Sequence, residues 1–248
     1  MASSMLRIGV CSIVASCAST ALRADDADAV KQIRKLGGTV ANLSTGTMVV
    51  FDGKKFTDSH IKLLAEIKNL KTVRCNDAAV TDAGLKELGR FRQLTDVRFF
   101  NAKITDDGLK ELRGLENLEL LWCDSTNVTG PGLRELKDLK KLQDLNLWGP
   151  KITDTTLKYV VELPNVRFLT LTKSAVTDDG MKQLRALKKL QRLSLDGTGI
   201  TDKGIEHFQN TADFEKLDLL TVSNTKVTKT GADALTKARG TKYISVMR

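Results

Sequence analysis

The chain has 248 residues, 41% of them apolar and 28% charged, with a formal net charge of +9, a balance that suits one folded domain and not a disordered tail. Its two histidines, His60 and His207, stand about six repeats apart, and no Walker loop, G-x-G-x-x-G, G-x-S-x-G or H-E-x-x-H occurs, so the sequence predicts no enzyme, no metal and no cofactor. There is no helix-turn-helix or zinc-finger pattern either, so the positive charge predicts no nucleic-acid role.

The first segment, residues 1–24, has a basic start at Arg7, an apolar middle from Ile8 to Leu22 and small residues at its end. That is the layout of a secretory signal peptide, too short for a membrane span. Two readings stay open: cleavage after Ala21 or Ala24, or a bacterial lipobox, Val14-Ala15-Ser16-Cys17, with Cys17 as the lipidated first residue. Membrane attachment is expected only with the second. Either reading predicts an exported protein, located in the periplasm, in the cell envelope or outside the cell. Residues 25–44 are expected to form an N-terminal cap, with a helix over Asp25–Gly38 whose Ala29, Val30, Ile33 and Leu36 form an apolar stripe ended by Gly37-Gly38.

From residue 45 to 248 the chain repeats. Thr57, Thr81, Thr105, Thr129, Thr153, Thr177 and Thr201 are 24 apart, and Thr228 comes after a gap of 27. Such a period marks a solenoid, in which each repeat buries its apolar face only against its neighbours. Before each Thr an alternating pair such as Leu145/Leu147, Leu169/Leu171 or Leu193/Leu195 predicts a short strand with one face buried. After it, Leu85/Leu88, Leu109/Leu112 and Leu133/Leu136 are spaced as on one side of a short helix. The Thr is expected to cap that helix, and the Asp after most of them to place negative charge in its first turn. Two repeats depart: Gly130-Pro131-Gly132 comes after Thr129, and Lys229 after Thr228, which predicts a worn terminal repeat. The extra residues, around Gln209–Asp213, are expected in a convex loop, and Tyr243–Val246 as a last, uncapped strand. Cys75 and Cys123 lie on strands with one strand between them, so they are expected to be buried thiols roughly 9–10 Å apart and beyond disulfide reach.

The frame L-x-x-L-x-L followed by I-T-D-x-G-L resembles leucine-rich repeat proteins, in particular the short-helix subfamily similar to the cysteine-containing repeats of F-box proteins and of bacterial secreted proteins. The cysteine that names that subfamily is absent, since Ala102, Thr126, Pro150 and Ser174 stand at its loop position, and no F-box precedes the repeats. The resemblance implies an α/β fold: a right-handed horseshoe with a parallel concave sheet of about nine strands and short convex helices. It also implies protein–protein recognition.

The residues that alternate with the buried pairs point to the concave face. They include both tryptophans, Trp122 and Trp148, with Phe100 and Phe168 on neighbouring strands, Arg74 and Arg98 to one side, and Asp124 and Asn146 between. These eight are the expected partner-binding residues, because aromatic and Arg side chains dominate binding hot spots. Asp52, Asp96, Asp124, Asp144 and Asp196 against Arg74, Arg98 and Arg192 make the face slightly acidic, which calls for a partner with apolar groups and basic character. A protein or peptide partner is the first reading. A glycan stacked on Trp122 and Trp148 is the second, and self-association through the last strand the third.

Overall fold

The computed structural model describes residues 27–240 and the backbone of Ile244–Ser245. The expected leader, Cys17, and Tyr243 and Val246 of the expected last strand lie outside the described residues.

The chain opens with helix α1 (Ala27–Lys35), whose Ala29, Val30 and Ile33 are buried. A hairpin comes next. Strand β1 (Thr39–Leu43) pairs antiparallel with β2 (Gly46–Asp52), Val40 opposite Val49. The segment 25–44, expected as a helical cap, is thus a helix plus a strand. Thr39 and Val40 begin β1 directly after Gly37-Gly38, where the φ of 93° at Gly37 turns the chain back on itself. Eight further strands continue in sequence order: β3 (Leu70–Asn76), β4 (Asp96–Phe100), β5 (Leu120–Asp124), β6 (Asp144–Asn146), β7 (Phe168–Thr170), β8 (Arg192–Ser194), β9 (Leu219–Thr221) and β10 (Ile244–Ser245). Among the described residues β2 to β10 are all parallel, nine strands of one sheet with β1 added at its first edge.

Behind the sheet run short helices: α2 (Asp82–Leu88), α3 (Asp106–Leu109), α4 (Asp154–Val160), α5 (Asp178–Met181), α6 (Asp202–Glu206) and α7 (Lys229–Arg239). Tighter 3-10 turns take the same place at Asp58–Glu66 and Pro131–Leu136, and extend α3 and α5. The core lies between the two layers. Leu85, Leu109, Leu133, Leu145, Leu169 and Leu193 are all at or near zero exposure. Each such leucine contributes about 1.5–3 kcal/mol on burial, repeated along the solenoid. Cys75 and Cys123 are free thiols inside this core, and burial pushes both well above the ordinary thiol range.

The Thr-Asp pairs do more than cap helices. Thr81, Thr105, Thr201 and Thr228 do accept an amide hydrogen bond in the first turn, as N-caps should. The Asp, however, reaches the next repeat. Asp58 accepts from the amide and the hydroxyl of Thr81, both at 2.7 Å. Asp82 does the same for Thr105, Asp154 for Thr177, Asp178 for Thr201 and Asp202 for Thr228. Asp106 accepts four bonds, from the amide and hydroxyl of Thr129 and from the amides of Gly130 and Gly132. Burial pushes its carboxyl up, yet these donors together outweigh it and hold the pKa below the usual value. The glycine of the motif now has its reason. A Cβ on Gly84, Gly108, Gly180, Gly204 or Gly231 would collide with the carboxylate of the preceding repeat.

One junction lacks the Asp. Gly130 stands directly after Thr129, so no carboxylate reaches Thr153. Thr156 stands where other repeats have glycine, and its hydroxyl accepts from the Thr153 amide at 3.1 Å and donates to the Thr129 carbonyl at 2.6 Å. The missing carboxylate and the missing glycine compensate each other. At the first repeat, which has no Asp before it, His60 Nδ1 accepts the Thr57 amide at 3.1 Å.

The last repeat keeps a full helix. α7 is the longest helix among the described residues, despite Lys229 at its start, and Gly240 ends it in the left-handed conformation. Arg239 donates to the carbonyls of Phe208, Phe214 and Leu217, which ties down the extra residues around Gln209–Asp213.

Candidate binding surface

The sheet face away from the helices is a grid set by strand register. Arg74, Arg98, Trp122 and Asn146 lie side by side across β3 to β6. Asn76, Phe100 and Asp124 form the next row, and Trp148 stands two residues after Asn146. All eight expected residues therefore fall on this face. Phe100, Trp122, Trp148 and Phe168 are half-buried, because each ring is covered by a neighbour.

The coverings are mostly cations. Arg98 lies 4.0 Å from the Trp122 ring centroid and is held there by a two-toothed bond to Asp96, at 2.8 and 2.6 Å. Trp122 Nε1 in turn donates to Asp144 at 3.2 Å. The Phe100 and Trp148 rings meet at 5.5 Å, and the Lys173 ammonium sits 5.2 Å from Trp148. Phe168 lies between Arg167 and Arg192, at 5.5 and 5.4 Å. Arg167 and Lys173 escape a reading by strand alternation. Arg167 directly precedes β7, and Lys173 occupies the corner after it, so neither is on an alternating strand position.

Those corners carry strain beside Trp148. After the strands, Asp77, Asn101 and Asn224 take φ values of 51–55°, which Asn and Asp tolerate, and Gly197 stands at 69°. Ser125 and Lys173 take the same conformation at 51° and 52° without that tolerance, and they border the Trp148 repeat on both sides. A shallow recess of about 240 Å³ opens there, lined by Ser125–Val128 and Trp148–Ile152.

The polar groups at the centre are poorly satisfied. Asp124 is 7% exposed, and its Oδ1 has no hydrogen-bond partner among the described residues, while Oδ2 accepts from Asn146 at 3.3 Å. Asn146 Oδ1 is buried without a partner as well. Burial raises the Asp124 carboxyl to about 7, against the opposing pull of the Trp148 amide and of Arg98. Burial raises Asp144 too, although Trp122 and Arg98 oppose it. Arg74 Nε is likewise without a partner, and burial together with the adjacent Arg98 charge lowers its pKa. Among the described residues no cluster of His, Cys, Asp and Glu is arranged to hold a metal, and no helix is long and apolar enough to cross a membrane.

A sheet of sequential parallel strands, one per repeat and backed by short helices, has the architecture of a leucine-rich repeat solenoid. A family model described as Leucine Rich repeat matches residues 186–208. Among solved structures the chain is similar to internalin C2 of Listeria monocytogenes, with 20% identity and a TM-score of 0.59, covering 81% of this chain and 80% of that one. It is similar also to an internalin, InlF, of the same organism, with 24% identity and a TM-score of 0.59 over 80% of this chain. The match spans 60% of that longer chain. These likenesses show the fold. No curated protein sequence matches the chain.

Proposed function

We propose that this is an exported, non-enzymatic binding module whose concave face, centred on Trp122, Asp124, Asn146 and Trp148, receives a protein or peptide. The observation that carries this reading is the pair of buried acceptors without partners, Asp124 Oδ1 and Asn146 Oδ1, set in the aromatic part of that face. Folding gains nothing from an unsatisfied buried oxygen, which costs about 1–3 kcal/mol. A partner that supplies the donor recovers that cost. The leader-like residues 1–24 support export to the periplasm, the envelope or the exterior.

A glycan has less support, because Arg98 and Lys173 already occupy ring faces on which sugars would stack. Affinity capture from an envelope extract of the source cells, with the wild-type chain and with Trp122→Ala/Trp148→Ala, tests the reading. The wild type is expected to retain a protein that the double variant does not. Equal retention by a folded double variant contradicts it.

A further inference from the structure

The concave face has a chemical bias that goes further than protein binding in general. Asp124 lies between Phe100, its register partner on β4, and Trp148, whose carbonyl accepts the Ser125 amide. Adjacent strands are about 4.8 Å apart, so two rings rooted on either side of Asp124 start almost 10 Å apart. Their centroids nevertheless meet at 5.5 Å, so they lean together over the carboxylate. Asp124 Oδ1 and, on the neighbouring strand, Asn146 Oδ1 are buried with no hydrogen-bond partner among the described residues. With Asp124 ionised, the Asn146 amide cannot be turned to remedy this. Turning it would set its oxygen against Asp124 Oδ2, where its nitrogen now donates at 3.3 Å.

Every feature here favours a compact cation. With Asp124 ionised, both orphans accept and neither donates. The roof is made of ring faces, and ring faces on this side of the sheet hold cations: Arg98 on Trp122, Arg167 and Arg192 on Phe168, and Lys173 on the roof ring Trp148 itself. The neighbouring carboxylates are already engaged, Asp96 by Arg98 and Asp144 by Trp122, so Asp124 is the acceptor left over at the centre. An ammonium has three N–H donors, enough for two oxygens and one ring face.

We infer that Asp124 and Asn146, roofed by Phe100 and Trp148, form a receptor for a lysine side chain of the partner polypeptide. The inference rests on the concave-face reading and specifies what that face selects. Binding would part the two rings by side-chain rotation and seat the ammonium against Asp124 Oδ1 and Asn146 Oδ1.

The chain's two tryptophans, both on this face, give the readout. The intact chain is titrated with a deca-lysine peptide and with the same peptide acetylated on every lysine, following tryptophan fluorescence. A saturable change is expected with deca-lysine and none with the acetylated form. Asp124→Asn, which keeps the shape and removes the charge, is expected to weaken binding at least tenfold. In the same titration at about pH 8.5, where Asp124 is ionised, Asp144→Asn removes a carboxylate one strand away, and an effect under about threefold is expected. Equal loss in both variants would mean diffuse charge attraction and would overturn the receptor. So would an equal response to the acetylated peptide, or no response to deca-lysine. Capture of the envelope partner separates the two levels. Retention by Asp124→Asn with loss in Trp148→Ala leaves the concave face standing without the lysine receptor, whereas retention by both removes the face as well.

Discussion

The Thr-Asp edge and the concave centre are built from the same repeat and treat their polar atoms in opposite ways. Along the edge each carboxylate is matched: Asp58, Asp82, Asp106, Asp154, Asp178 and Asp202 each accept from the Thr of the next repeat, and a glycine leaves room for the contact. Where the Asp is missing, Thr156 replaces the bond. At the concave centre Asp124, Asn146 and Arg74 each keep a buried atom without a partner, two corners adopt a conformation unfavourable to their residues, and the rings are held by cations. The edge uses its hydrogen bonds to join repeats. The centre leaves capacity unused, and the proposed binding function draws on it.

The comparison is easiest to break at the edge. Asp106→Ala removes four hydrogen bonds to a charged acceptor, and a loss of about 3–5 kcal/mol of stability is expected in urea denaturation. A loss below about 1 kcal/mol would mean that the edge is ornamental.

At the centre the sign reverses and depends on pH. Asp124 has a folded pKa of about 7, above the ~3.9 of an unfolded Asp, so the folded chain keeps a proton that the unfolded chain releases. The stability it contributes is complete below about pH 4 and is lost as the pH rises through about 7. From about pH 5 to about pH 8 the wild type should therefore lose about 2–3 kcal/mol relative to Asp124→Asn, read as diverging melting temperatures. Parallel curves would show that the carboxylate is neither buried nor poorly partnered.

Gly180→Ala tests the room left for Asp154. Its Cβ would strike the carboxylate and Leu157, and a cost of about 2 kcal/mol is expected although the backbone there is helical. A stabilised protein would show that the glycine is a matter of helix propensity only. Thr156→Val keeps the shape but strips the Thr153 amide and the Thr129 carbonyl of their partner, for about 1–2 kcal/mol. An unchanged denaturation midpoint would show that the exceptional junction needs no substitute bond.

Much of this was legible in the sequence, and the limits have physical reasons. The 24-residue period and the alternating leucines determine the strand register, and register alone places Trp122, Trp148 and Asp124 on one face. The role of the Asp was not legible from a single repeat, because an Asp after Thr serves helix capping and inter-repeat bonding equally well in sequence. Only the stacking of repeats brings it to the Thr that lies 23 residues on. β1 was hidden for a similar reason, since a five-residue strand without its antiparallel partner has little pattern of its own. The cations over Trp148 and Phe168 escaped because Lys173 and Arg167 sit beside the strands, outside the alternation that defines the face.

The central claim is that one surface joins the repeats and another recognises the partner. It is tested most directly by measuring stability and partner capture on the same preparations of Asp106→Ala and Trp122→Ala/Trp148→Ala. The edge variant should melt earlier yet still capture the partner at a temperature where it is folded. The concave variant should keep most of its stability and lose capture. Capture lost in the folded edge variant and kept in the concave one would contradict the claim.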